Sequence, residues 1–211
     1  MGPSGAGKST FLRLVLGQEA PTRGRVYLDD EPLRAEPGPD RGVVFQRYSV
    51  FPHMTVLKNV MFGVQCRGRK SSAREEAIEM LHHVGLGDNL DAFPSALSGG
   101  MQQRLAIAQA LITHPRILLL DEPFGALDPG VRLDMHELIT GLWREKGLTI
   151  LMVTHDIKEA FKLGTRVIAI DKRRRDPQAP HRFGSTAVYD FPLDKPNARV
   201  PQELEGMVEA A

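Results

Sequence analysis

A run of nine residues near the start of the chain has the composition and spacing of a phosphate-binding loop. It reads Gly2, Pro3, Ser4, Gly5, Ala6, Gly7, Lys8, Ser9 and Thr10, and it matches the pattern G-x-x-x-x-G-K-[ST] at every fixed position. Glycine allows the backbone N–H groups to wrap closely around a phosphate. Lys8 can place a positive charge at the β- and γ-phosphates, and the Ser9 hydroxyl can bind Mg²⁺. The sequence therefore predicts a nucleoside triphosphate site.

A pair of acidic residues, Asp121 and Glu122, follows the apolar run Ile-Leu-Leu-Leu at 117–120. Such an uninterrupted apolar run predicts a buried strand of a parallel sheet, and ligands bind at the carboxyl edge of sheets of this kind. Asp121 is then placed to bind Mg²⁺, and Glu122 to accept a proton from an attacking water. The alternative is a strand that ends in solvated carboxylates, which the phosphate-binding loop upstream disfavours.

A third candidate is the sequence Ser98, Gly99, Gly100 at the start of a predicted helix that stops before Pro115. A helix N-terminus rich in glycine can bind an anion. Taken alone, Ser98 could equally be an ordinary N-cap. The whole stretch 97–104, Leu-Ser-Gly-Gly-Met-Gln-Gln-Arg, resembles the signature motif of the ABC-type ATPases, and it precedes the acidic pair as it does in that family.

The remaining motifs of that family follow in order. Gln46 looks like the Q-loop glutamine, residues 125–128 (Gly-Ala-Leu-Asp) look like the D-loop, and His155 looks like the switch histidine. Each has a simpler interpretation: a strand end for Gln46, an N-cap for Asp128, and a first-turn helix residue for His155. The correct order of all the motifs over about residues 2–171 favours the resemblance.

The resemblance implies a head-to-tail dimer that binds ATP between the phosphate-binding loop of one subunit and the signature of the other. Ser98, Gly99 and Gly100 would close the site of the opposite subunit, and Asp128 would couple the two sites across the interface.

In the same family, Ser9 and Asp121 would hold Mg²⁺, with Gln46 sensing the ion. Glu122 would be the general base, and His155 would contact the γ-phosphate and the attacking water. The cofactors implied are ATP and Mg²⁺.

The apolar runs at 117–120, 149–153 and 167–170 predict an α/β fold with a mostly parallel sheet covered on both faces. Residues 47–114 have a helical pattern instead, which includes a capping box at Ser72 and Glu75 and an apolar stripe at residues 77, 80, 81 and 84. Residues 24–28 predict a short strand with its turn at 29–30, and the apolar stripe at 131–142 predicts a helix that ends at Gly147. The resemblance implies a P-loop NTPase domain at 1–171, with a core at 1–46 and 115–171 and an inserted helical subdomain at 47–114. Residues 172–211 form a tail for which we make no fold prediction.

The residues of the motifs at 51–56, 123–128 and 155–160 resemble those of the importer branch that handles nitrate, sulfonates, taurine and related small solutes. The resemblance implies a transmembrane permease as partner, met by the stretch 47–61, and a solute-binding protein that acts through the permease. The chain would then be a peripheral subunit at the cytoplasmic face of the membrane. The pumped solute would not touch this chain, so the sequence does not name it.

The bulk composition agrees with a single globular domain and a tail. The chain has 211 residues, of which 42% are hydrophobic and 25% charged. Lys and Arg number 27 against 26 Asp and Glu, a balance that offers no support for nucleic-acid binding. One cysteine cannot form an internal disulfide, which is typical of a reducing compartment.

The family pattern places strands before the phosphate-binding loop, together with an aromatic residue that stacks on adenine, whereas Gly2 follows directly on Met1. Either the native protein begins further upstream, or the chain is an ATPase that is impaired or that a partner protein completes. We expect the first, because the downstream motifs are intact.

Other classes of function are less consistent with the sequence. Soluble ABC ATPases of chromosome or repair systems carry a long coiled coil between the loop and the signature, and residues 10–97 show no sustained heptads. Ribosome-acting types usually carry paired domains in one chain, and a P-loop kinase would lack Ser98 and His155 in this context. An inactive, truncated remnant remains the further alternative.

Overall fold

The computed structural model describes residues 1–3, 5–46, 49–66, 68, 72–172, 178, 184–193 and 196. The chain divides into two compact units, Met1–Val15 with Val153–Ala211, and Leu16–Met152. The division into a core at 1–46 and 115–171 and a helical subdomain at 47–114 stays a prediction.

Helices and strands alternate in the second half of the described chain, over residues 99–171. The helices are α1 Lys8–Leu16, α2 Val56–Gln65, α3 Ala73–His83, α4 Gly99–Leu111, α5 Pro129–Lys146 and α6 Ile157–Leu163, with short 3₁₀ turns at Gly87–Asn89 and Pro94–Ala96. The strands are β1 Tyr27–Leu28, β2 Glu31–Pro32, β3 Arg41–Val44, β4 Ile117–Asp121, β5 Thr149–Val153, β6 Arg166–Asp171 and β7 Thr186–Pro192.

The sheet that carries the acidic pair has the strand order β3-β4-β5. β3 and β4 are parallel, and Val44 lies opposite Leu120 at their carboxyl ends. Leu118, Leu119 and Leu120 are fully buried, as expected for an apolar strand covered on both faces. This register brings the ends of β3 and β4, and therefore Gln46 and Glu122, to the same edge of the sheet.

Helices α2, α3 and α4 pack together in the second unit. The predicted stripe of α3 is confirmed, because Ala77, Met80, Leu81 and Val84 are all buried. The predicted capping box between Ser72 and Glu75 is wrong. Ser72 has φ −100° and ψ −3°, and its side chain makes no capping hydrogen bond. A serine caps from an extended backbone, which directs its hydroxyl at the first free N–H groups, and Ser72 does not have one.

The first predicted strand is shorter than the pattern at 24–28 suggested, since only Tyr27–Leu28 pairs, with Glu31–Pro32. Asp29 and Asp30 between them both have positive φ, 49° and 66°. This is the backbone of the two-residue turn whose twist matches that of antiparallel strands. The predicted turn is therefore confirmed.

The β6–β7 pair in the first unit is antiparallel and includes a strand in the tail that the sequence analysis did not predict. Ala160, Phe161 and Val167 form a small buried cluster, and Met1 and Phe191 pack against it. Across the pair, Arg166 binds the Asp190 carboxylate through both Nε and Nη2, at 2.9 and 2.7 Å. The sequence Lys-Arg-Arg-Arg at 172–175 forms a basic run, of which residues 173–175 lie outside the described residues.

The Asn59 side chain in α2 holds the loop that precedes this helix through hydrogen bonds. The Asn59 side chain is 1% exposed. Its Oδ1 accepts from the Phe51 N–H at 2.7 Å and from Gln109 Nε2 at 3.1 Å. Its Nδ2 donates to the carbonyls of Phe51, Met54 and Thr55 at 3.0–3.1 Å. One buried amide thus holds the loop to α2 and to α4.

We expect Asn59→Ala to lower the free energy of unfolding by about 2–3 kcal/mol, because buried polar groups of the loop and of Gln109 lose their partner. Chemical denaturation followed by circular dichroism measures this. Gln65→Ala, at an exposed position of the same helix, is the control and should change the free energy by under about 0.5 kcal/mol. Equal effects of the two substitutions would contradict the role given to Asn59.

Among the described residues, no helix is both long enough and apolar enough to span a membrane.

Candidate active site

The phosphate-binding loop folds back on itself through Lys8. The Lys8 Nζ donates to the Gly2 and Pro3 carbonyls at 2.7 and 2.9 Å, and the side chain is 7% exposed. Gly5 and Gly7 have φ of 75° and 84°, a region that side chains other than glycine rarely enter. Gly7, which the motif requires, and Gly5, which it does not, are therefore both used for backbone shape. Ser4 lies outside the described residues.

The residues after the loop begin α1. Ser9 and Thr10 are exposed in its first turn, and the Phe11 N–H donates to the Gly7 carbonyl at 2.9 Å. The Ala6 N–H donates to the Pro3 carbonyl at 3.2 Å. The Ser9 hydroxyl thus stands at a helix N-terminus, where the helix dipole favours phosphate.

Gln46 and Glu122 lie within hydrogen-bond distance of each other. The Gln46 Nε2 donates to Glu122 Oε2 at 3.4 Å. Gln46 follows β3 and Glu122 follows β4, so the contact results from the parallel register of these strands. Asp121, the last residue of β4, is half-buried beside them. The structure therefore brings together a predicted magnesium ligand, a predicted sensor and a predicted base.

The turn that begins at Glu122 is strained. Glu122 has φ 47°, a left-handed conformation that costs a residue with a β-carbon about 1–2 kcal/mol. The Gly125 N–H donates to the Glu122 carbonyl at 3.4 Å, and the Leu127 N–H donates to the Phe124 carbonyl at 3.1 Å. Strain of this kind persists where the surrounding structure imposes it, which is common at active sites.

Sequence reasoning missed Phe124 and His136, which support this turn. Phe124 is fully buried and His136 is 5% exposed, and their rings meet edge to face with centroids 4.9 Å apart. The Arg132 side chain, one turn earlier in α5, donates to the Leu127 carbonyl at 3.3 Å. The available signal was a histidine beside the apolar stripe of α5 that contains Met135 and Ile139.

The signature segment also meets the start of α5, which follows the D-loop segment. Ser98 caps α4 by accepting from the Met101 N–H at 3.3 Å, and Asp128 is the N-cap of α5 without a side-chain capping bond. Gly100 is buried, and a β-carbon there would lie 2.4 Å from Cγ1 of Val131. Glycine is therefore required at this position by the approach of α5, whereas Ser98 and Gly99 are exposed.

His155 is exposed between β5 and α6. The neighbouring residues hold its backbone, since the Asp156 N–H donates to Thr154 Oγ1 at 3.0 Å and Asp156 Oδ1 accepts from the Glu159 N–H at 3.1 Å. His155 and the phosphate-binding loop belong to the first unit, and the other predicted site residues belong to the second.

Perturbed pKa values occur at groups outside the predicted catalytic set. Burial, and then the charge of Lys8, lower the pKa of the Met1 α-amino group, whose nitrogen donates to the Ile168 carbonyl at 2.7 Å. The hydrogen bond and charge of Arg166 lower the pKa of Asp190. A hydrogen bond to Asp29 raises the pKa of Arg116.

The donor set suits Mg²⁺ carried by a nucleotide. Ser9 and Asp121 offer hydroxyl and carboxylate oxygens, and Gln46 offers an amide oxygen, which are hard ligands of the kind Mg²⁺ prefers. Within the described ranges, no group of three or more His, Cys, Asp or Glu could hold a metal ion. Mg²⁺ commonly binds through one or two protein side chains, with phosphates and water completing its shell.

Comparison with known proteins decides the family. The ABC transporter family matches residues 1–125 of the chain. The chain belongs to this family. The predicted class of enzyme, an ABC-type ATP hydrolase, is confirmed at the level of the family.

The relatives of this ABC protein include named import proteins. The nitrate import ATP-binding protein NrtD of Synechocystis is 47% identical over 174 residues, which are 82% of this chain and 65% of that protein. The aliphatic sulfonates import ATP-binding protein SsuB of Cupriavidus pinatubonensis is 46% identical, over 89% of this chain and 62% of its own length. An uncharacterized ABC transporter ATP-binding protein of Methanocaldococcus jannaschii is 46% identical, over 97% of this chain and 73% of that protein. The predicted resemblance to nitrate and sulfonate importers is confirmed.

A solved structure supports the fold. The dimeric, post-hydrolysis form of the ATP-binding cassette MJ0796, bound to ADP and Pi, matches with a TM-score of 0.69 and 37% identity over 80% of this chain and 78% of that one. The predicted α/β P-loop NTPase fold is confirmed. The role of each site residue stays a prediction.

Proposed function

We propose that this ABC protein binds and hydrolyses ATP and thereby drives the import of a small solute through a partner permease. The contact between Gln46 and Glu122 at 3.4 Å is the observation that carries the proposal. The two side chains meet at the carboxyl edge of parallel strands, where nucleotides bind in sheets of this kind, and this supports their proposed roles as sensor of Mg²⁺ and as base. The names of the relatives as import ATP-binding proteins support the transport role.

The hydrolytic roles follow from the chemistry of each group. The phosphate-binding loop and Lys8 bind the β- and γ-phosphates, where positive charge offsets the charge of the transferring group. Glu122 orients a water and accepts its proton. His155 contacts the γ-phosphate and the same water, and so completes the placement of the nucleophile.

Mg²⁺ bound with ATP would be held by Ser9 and Asp121, with Gln46 beside it. The ion would supply positive charge that offsets the negative charge developing during hydrolysis. The hydrogen bond from Gln46 to Glu122 ties the amide to the proposed base, so that a movement of the Gln46 side chain would reach the carboxylate through a single contact.

We propose a head-to-tail dimer as the working unit. Ser98 and Gly99 are exposed at the N-terminus of a 13-residue helix, a position that suits a phosphate bound by another subunit. The dimeric state of the solved cassette supports this arrangement. Gly100 contributes by letting α5, with Asp128 at its start, approach the signature.

A permease is the proposed membrane partner, and the stretch 47–61 is its proposed contact. Phe51 of this stretch packs edge to face against Phe62, the residue that follows the stretch, with ring centroids 4.9 Å apart, and Phe62 is 40% exposed. Partly exposed aromatic rings are enriched at protein interfaces. Tyr48 and Arg47 of this stretch lie outside the described residues. A solute-binding protein would act through the permease, with this subunit peripheral at the cytoplasmic face.

The test is the mass of the Glu122→Gln protein in solution, measured by size-exclusion chromatography with light scattering. We expect MgATP to convert a monomer to a dimer, because ATP binds between the subunits and the variant does not consume it. MgADP is the ligand control. Ser98→Arg in the same background should abolish the shift, since an exposed cap residue becomes a bulky side chain at the interface.

A folded Glu122→Gln protein that binds MgATP and stays monomeric would contradict the dimer site. A dimer that forms equally with Ser98→Arg would contradict the part given to the signature.

A further inference from the structure

The segment that follows Glu122 is anchored by the ring contact between Phe124 and His136. Both side chains are buried, and their rings cross at 73° with centroids 4.9 Å apart. Edge-to-face packing is an arrangement that aromatic rings favour. His136 belongs to the first half of α5, a rigid element, so the helix fixes the position of Phe124 from one side.

Glu122 needs this support because its φ is 47°. A residue with a β-carbon stays in that conformation only where its surroundings impose it. The hydrogen bond within the turn, from the Gly125 N–H to the Glu122 carbonyl, is 3.4 Å long, which is beyond the usual range for N–H···O bonds. The hydrogen bond from Gln46 to Glu122 has the same length and lies at the surface. Phe124, which is fully buried, ties the turn to the interior.

We propose that His136 is a positioning residue for ATP hydrolysis, which acts through Phe124 to hold the Glu122 carboxylate at the attacking water. The proposal rests on the proposed role of Glu122 as the general base. Placement matters because a displacement of about 1 Å costs a catalytic group on the order of a hundredfold in rate. His136 acts only through the packed ring and needs no contact with the nucleotide.

The first test is His136→Leu, which keeps an apolar side chain of similar size but removes the ring. We expect kcat for ATP hydrolysis to fall about tenfold, as for a misplaced base, while KM for MgATP changes by less than about twofold. His136→Phe, which retains a planar ring, should restore most of the rate. Phosphate release measures turnover, and the thermal midpoint of each variant verifies folding.

A matched control comes from the same helix. Leu142 is 3% exposed and lies nearly two turns beyond His136, so Leu142→Ala loses buried apolar surface away from Phe124. It should lower the thermal midpoint without lowering kcat. If Leu142→Ala lowers kcat as much as His136→Leu, or if His136→Phe restores nothing, the role of His136 is merely structural and the proposal is overturned.

A double-mutant cycle separates this proposal from the assignment of the base. In the Glu122→Gln background, measured in single-turnover reactions, His136→Leu should reduce the rate no further, since its effect passes through the carboxylate. The same tenfold loss in both backgrounds would overturn the positioning role. If Glu122→Gln alone keeps the parental rate, it is the proposed base that fails. Should His136→Leu not fold, Phe124→Leu tests the same contact from the other side, with the same outcomes.

Discussion

Glu122→Gln is expected to reduce ATP turnover by about a hundredfold or more, the range that general base catalysis contributes. Glutamine keeps the size of the side chain and can still accept the hydrogen bond from Gln46, but it cannot take a proton from water. Affinity for MgATP should stay within about threefold, because the proposed phosphate contacts lie elsewhere, at the loop and Lys8. Steady-state phosphate release and equilibrium nucleotide binding measure the two quantities.

Glu137→Gln provides the matched control for this substitution. Glu137 is exposed on α5, so the same chemical change there should leave turnover and binding as they are. Parental turnover in Glu122→Gln would show that the base is another group. A large loss of MgATP affinity in the variant would instead make Glu122 a binding residue.

Lys8→Ala is expected to weaken MgATP binding about 10- to 150-fold, since hydrogen bonds to charged groups are worth about 1.5–3 kcal/mol. The Lys8 Nζ already lies 2.7 and 2.9 Å from the carbonyls of its own loop, so the variant also loses an internal clamp of the loop. Titration calorimetry with MgATP measures the affinity, and the thermal midpoint without nucleotide reports the second effect.

Lys158→Ala removes an exposed lysine in α6 and should leave the affinity unchanged, which excludes a general effect of net charge. Unchanged binding in Lys8→Ala would contradict the assignment of the phosphate-binding loop. A protein that binds MgATP at full affinity yet melts earlier would assign Lys8 to the loop's structure alone.

The elements that the sequence predicts well are those whose signals are local. Thr149–Val153 and Ile157–Leu163 form the strand and helix that their apolar patterns indicate. Gly147, with φ 59°, ends α5 where a glycine was expected to do so, because a left-handed residue closes a helix and glycine adopts it readily. In such cases the residue types and the spacing of the apolar residues are sufficient to predict the element.

Predictions that depended on a precise backbone or on the tail fared less well. Ser72 carries the right residue type for a cap but not the extended backbone that capping needs. The strand Thr186–Pro192 has the β-branched and aromatic residues of a strand, yet its partner, Arg166–Asp171, is remote in sequence. Neither the dihedral angles nor the pairing follows from local composition.

The candidate site was predictable as a set of motifs but not as a geometry. The meeting of Gln46 and Glu122 follows from parallel strand ends, and the sequence analysis placed ligands at that edge. The left-handed backbone of Glu122 and its support by His136 depend on how α5 packs, which no motif records. Residue roles come from the family resemblance, while the supporting residues come from the structure.

The close approach of Val131 to Gly100 packs the start of α5 directly against the start of α4. With room for no side chain between Gly100 and Val131, the helices meet as solid surfaces, and close-packed protein transmits strain instead of absorbing it. We therefore expect a displacement of Ser98 toward a nucleotide to displace Asp128 as well. In the proposed dimer, the proposed contact with one subunit's ATP and the proposed interface residue would then move together.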